Sequence, residues 1–86
     1  MCRFEVTLPG LGLEGHTVVV SLWLVSAGSR VSEGQQLVEV RAAEALIDLP
    51  SPASGTVVET LVAEDEQVQV GQTLAVIESD DCEPFS

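Results

Sequence analysis

The 86-residue chain has no lysine and no tyrosine, and its only basic side chains besides His16 are Arg3, Arg30 and Arg41. Fourteen Asp and Glu residues stand against them, for a formal net charge of -11. Such a chain is repelled by phosphate backbones and anionic membranes, so neither nucleic acid nor a membrane is an expected partner. A basic protein patch is the expected electrostatic complement. No apolar run reaches the ~18 residues that a membrane helix needs, and no basic stretch precedes a short apolar one as in a signal peptide. The default expectation is therefore cytoplasmic. Cys2 and Cys82 lie near opposite ends. With no CxxC pair and one distant His16 they make no zinc site, and a reducing cytosol disfavours a bridge, so both are expected as thiols. With a single histidine and scattered carboxylates, no Ser/His/Asp or Cys/His constellation can be assembled, and the chain is not expected to be an enzyme.

Hydrophobic residues make up 45% of the sequence and are mostly Val, Leu and Ala, enough for one small core. Phe4–Leu8 alternate as in a strand. Pro9-Gly10-Leu11-Gly12 breaks it, and Glu14-Gly15-His16 continues the loop. Thr17–Val25 is β-branched and long for one strand, and Leu22, Trp23 and Leu24 imply a bend or change of face within it. Turns follow at 26–29 and around Gly34. Gln36–Val40 reads as a strand with Leu37 and Val40 inward. Arg41–Ala45 is the central turn, and Leu46–Leu49 runs out of it. Pro50-Ser51-Pro52-Ala53-Ser54-Gly55 stops that strand, since proline cannot donate to a central ladder. Further strands are expected at Thr56–Val62 and Thr73–Ile77, around an acidic turn at Glu64-Asp65-Glu66. No segment has helical periodicity of useful length. Short strands with Gly and Pro turns roughly every 8–12 residues predict an all-β sandwich or barrel.

The chain also repeats itself. A shift of 37 residues lays Val20 on Val57, Leu24 on Leu61, Val31 on Val68, Gly34 on Gly71, Gln35 on Gln72, Leu37 on Leu74 and Val40 on Ile77. Upstream, Leu8-Pro9 matches Leu49-Pro50 if the first half carries a loop longer by four residues. Two copies predict pseudo-two-fold closure into one unit, with the central turn at one end and the chain termini at the other. The shared V-x-x-G-Q-x-L step is a strand end, a turn that needs Gly, and a new strand opening on an inward Leu.

Five segments in this order resemble the lipoyl domains of 2-oxo acid dehydrogenase acyltransferase subunits and, more distantly, biotinyl carrier domains. They are Leu8-Pro9-Gly10-Leu11-Gly12, Val20-Ser21-Leu22-Trp23-Leu24-Val25, Val31-Ser32-Glu33-Gly34-Gln35, Pro50-Ser51-Pro52-Ala53-Ser54-Gly55-Thr56-Val57, and Val70-Gly71-Gln72-Thr73-Leu74-Ala75-Val76-Ile77. The resemblance spans about Phe4–Ser79 and implies a flattened β-barrel, or barrel-sandwich hybrid, of two four-stranded antiparallel sheets. The domain is expected over 1–79, with 80–86 an acidic tail or the start of a linker. In the family, a lysine at the tip of the central hairpin, usually within Glu-Thr-Asp-Lys-Ala, carries lipoate through an amide. Counting back from Pro50-Ser51-Pro52 lays that motif on Arg41-Ala42-Ala43-Glu44-Ala45. Only the last Ala agrees, and Glu44 takes the position of the lysine.

The resemblance therefore implies a cofactor, lipoate or biotin, that Glu44 cannot accept: ligation needs an amine to attack an acyl adenylate, and a carboxylate cannot form that amide. Neither modification is expected. Arg41, Ala42, Ala43 and Glu44 become candidate binding residues, with Arg41 and Glu44 near enough for a surface ion pair. His16 joins them because its loop lies beside the lysine turn in the family. The expected role is a non-catalytic interaction or structural module whose partner is a protein, such as a dehydrogenase complex component with a basic docking surface. The alternative is a lipoyl acyl-carrier domain in lysine-free form. Trp23 is expected to pack rather than bind, and the carboxylates at 64–66 lack the alternating ligand pattern of a calcium loop.

Overall fold

Val18 and Val20 point inward and Val19 outward, the period-two alternation that a half-buried strand requires. Repeated along the chain, this pattern builds eight strands in the computed structural model, which describes residues 2–10 and 17–79. They are β1 (Cys2–Thr7), β2 (Val18–Trp23), β3 (Arg30–Val31), β4 (Gln36–Ala42), β5 (Ala45–Pro50), β6 (Gly55–Thr60), β7 (Gln67–Val68) and β8 (Thr73–Ser79). All pairings are antiparallel, in two four-stranded sheets ordered β1-β8-β6-β3 and β5-β4-β2-β7. The expected all-β, double-sheet class holds. No helix among the described residues is long and apolar enough to cross a membrane.

The pseudo-two-fold is exact in register. Val20 faces Val40 and Val57 faces Ile77, and each pairing then slips by one residue, at Ser21 in β2 and at Val58 in β6. The bend expected near Leu22 is this bulge. The upstream match needs correction. β1 meets β8 with Val6 opposite Ala75, and β5 meets β4 with Leu49 opposite Val38, so Val6 corresponds to Leu49 and Pro9 to Pro52, not to Pro50. A slip of two residues keeps every side chain on the same face, so alternation alone could not expose the error. Each sheet takes two strands from each half, so the halves interlock.

The core lies between the sheets. Val20, Leu37, Val38, Val40, Val57, Leu74 and Ile77 are completely buried, and Val31 and Val68 close it at equivalent places. The repeated V-x-x-G-Q step gains a structural reason. Gly34 and Gly71 have φ of 87° and 88°, where any Cβ is strained. Each following Gln folds its side chain back, so that Oε1 of Gln35 accepts from Ser32 N–H and Oε1 of Gln72 from Gln69 N–H, both at 3.0 Å. Each turn also clasps an edge strand: Gly34 N–H donates to Ser51 O at 2.9 Å and Gly71 N–H to Leu8 O at 2.8 Å.

Strands β3 and β7 have no signature in the sequence, because two residues show no periodicity. Trp23 packs against the core as expected, its Nε1–H donating to Val62 O at 2.9 Å. The acidic turn has structural work: Glu64 Oε2 accepts from Trp23 N–H at 3.0 Å and Glu66 Oε1 from Ala63 N–H at 2.8 Å. The expectation for the cysteines is overturned, since Cys2 is disulfide-bonded. The strand register places Cys2 opposite Ser79 at the end of β8. The pseudo-two-fold expectation already allows the cysteines to be neighbours, and the preference for thiols rests on a reducing cytosol alone. Cys82 and the acidic tail at 80–86 lie outside the described residues.

Candidate functional site

The hairpin between β4 and β5 is tighter than the five-residue turn read from its alanines. β4 runs through Ala42 and β5 restarts at Ala45, and these two are paired, leaving Ala43 and Glu44 as a two-residue loop. Alanine is a poor strand former, so the segment reads as turn. Ala42 is nonetheless completely buried, in a place under the hairpin that suits a small side chain. A two-residue hairpin loop needs positive φ at a central residue, and Ala43 supplies it at 56°. Glu44 is exposed at the tip.

Alternation turns Arg41 outward between Val19 of β2 and Leu46 of β5, its cross-strand neighbours. The expected ion pair between Arg41 and Glu44 does not form. Arg41 lies in the paired part of β4 and Glu44 in the loop beyond it, and among the described residues no carboxylate is within ion-pair distance of Arg41. Arg3 instead pairs with Glu78 at 3.7 Å. His16 lies outside the described residues. Leu46 is 61% exposed, as the alternation from Leu49 through Ile47 requires, although its residue type alone marks it for the core. No titratable cluster with ligand geometry for a metal occurs among the described residues.

An interlocked pair of four-stranded antiparallel sheets, related by a pseudo-two-fold and ending in one tight exposed hairpin, defines the class. The biotin/lipoyl family model, described as "Biotin-requiring enzyme", matches residues 4–77. The chain belongs to that family. It is 36% identical over 80 residues to the dihydrolipoyllysine-residue acetyltransferase component of pyruvate dehydrogenase complex from Staphylococcus aureus strain Mu50, covering 93% of this chain and 19% of that protein. The protein of the same description from Staphylococcus epidermidis strain RP62A is also 36% identical over 80 residues, which is 93% of this chain and 18% of that protein. The chain thus spans about a fifth of the length of these curated relatives.

Proposed function

We propose that this chain is a lipoyl-like domain that carries neither lipoate nor biotin and acts as a non-catalytic protein-interaction module related to 2-oxo acid dehydrogenase complexes. One observation carries the reading. The exposed tip of the family's hairpin bears Ala43 and Glu44, in a chain without a single lysine. An acyl adenylate needs an amine nucleophile to yield a stable amide, and Glu44 offers oxygen. The residues present do not fit the cofactor, so no acyl or electron transfer is routed through this hairpin. The relatives' membership of a multienzyme complex supports a protein as the partner. The test is intact-mass measurement after co-expression with a lipoate ligase and, separately, with a biotin ligase. The unmodified mass is expected, and a gain of one lipoyl or biotinyl group overturns the reading.

The relatives' description as acetyltransferase components favours a second reading, an acyl-carrier domain in lysine-free form. It predicts that Glu44→Lys is lipoylated and then reductively acylated by a 2-oxo acid dehydrogenase. A folded variant that stays unlipoylated shows that the surface the ligase recognises has diverged along with the tip.

A further inference from the structure

The pseudo-two-fold gives the molecule an internal control, because each outward row on one sheet has a counterpart on the other. On the β1-β8-β6-β3 sheet, one outward row runs Arg3, Glu78, Thr56, Arg30. Arg3 pairs with Glu78, and Arg30 makes interactions of its own. The matching row on the β5-β4-β2-β7 sheet runs Leu46, Arg41, Val19, Gln67. The same backbone positions here hold two apolar side chains around an arginine that has no ion-pair partner among the described residues. The next outward row places Asp48 directly opposite Glu39, with Leu22, 44% exposed, beyond. Like charges directly opposite on a sheet repel, and no cation among the described residues relieves this pair.

We infer that this outer face, beside the hairpin, is a docking surface for a basic protein segment. An apolar or aromatic anchor of the segment covers the Leu46–Val19 row, and flanking Lys or Arg side chains sit against Glu39 and Asp48. Arg41 sets the register. It repels cations from the first row and offers its guanidinium plane to an aromatic face, which leaves the carboxylate row as the place for positive charge. A second copy of the chain does not suit the face, since each copy brings a net charge of -11 and the same carboxylates. The inference rests on the interaction-module reading and fails separately from it. A lipoylated or biotinylated mass removes that reading, whereas the experiment below removes only this face.

The experiment is amide chemical-shift mapping of the isotope-labelled chain with three synthetic probe peptides, Lys-Trp-Lys, Lys-Gly-Lys and Glu-Trp-Glu, capped at both ends. With Lys-Trp-Lys, shifts are expected at Val19, Leu22, Glu39, Arg41, Leu46 and Asp48, and not on the counterpart row of Arg3, Glu78 and Thr56. The other two probes shift these amides much less. Leu46→Ser and Asp48→Asn, both at exposed positions, each weaken the Lys-Trp-Lys response about fivefold, the scale of losing one anchor or one rim charge. The inference is overturned if Lys-Gly-Lys acts as strongly as Lys-Trp-Lys. It is equally overturned if the shifts spread over the acidic residues of both sheets, or if Leu46→Ser changes nothing.

Discussion

Ala43 holds a backbone conformation that costs an L-residue about 1–2 kcal/mol and costs glycine far less. Ala43→Gly is therefore expected to stabilise the domain by about 0.5–1 kcal/mol, even after allowing for the freer unfolded chain. Urea denaturation checks this, and a lower midpoint for the glycine variant contradicts it. Gly55 is the opposite case. A Cβ built there falls on the backbone of the neighbouring strand, closest to the Glu78 carbonyl oxygen and 2.8 Å from its carbon. Backbone in a paired strand cannot step aside, so β6 and β8 must part. Gly55→Ala is expected to cost about 3 kcal/mol, at the upper end for overpacking, and thermal unfolding reads it directly. Gly55 closes a proline-rich stop in the sequence, but what its missing side chain leaves room for is the backbone of β8, a distant strand that no local pattern announces.

The turns that follow Val31 and Val68 are the element in which local sequence and local structure agree best. Gly and Gln recur at the same step in both halves, and the structure gives both residues the same work. Gln35→Ala and Gln72→Ala each remove one side-chain cap from a backbone N–H, so each is expected to cost about 0.5–1.5 kcal/mol, and the double variant about the sum. Unequal losses measured by guanidinium unfolding indicate that the two halves have drifted apart energetically while keeping their geometry. The hairpin was less legible. Its position followed from the repeat and from Pro50-Ser51-Pro52, but three alanines concealed how far the strands extend. Ala42 belongs to a strand because it is buried under the sheet, a tertiary fact that outweighs its propensity.

For the whole molecule, the pseudo-two-fold relates two closures. At one end Ala42 and Ala45 are joined through the hairpin loop. At the other the equivalent pair is Ser79 and Cys2, where no turn connects the strands and Cys2 is disulfide-bonded. Removing a native disulfide from a small domain typically costs about 2–5 kcal/mol, and loss of the one at Cys2 is expected to fall in that range. Cys2→Ser, or reduction by dithiothreitol, should lower the guanidinium midpoint accordingly. Coincident curves with and without reductant contradict this.

The residues alone settle the class of fold, the internal repeat and the absence of a side-chain amine, because strand alternation, turn glycines and composition are local or additive properties. The hairpin that opens at Arg41 could be placed by the same means. Tertiary structure decides what those means cannot reach. It interlocks the halves, moves the proline match by two residues, and ties Cys2 into a disulfide. It also leaves Arg41, among the described residues, without an ion-pair partner between two apolar neighbours, whereas Arg3 on the counterpart row pairs with Glu78. The physical reason is common to all of these. Each depends on which distant strand lies alongside, and that is set by burying one shared core from both halves at once.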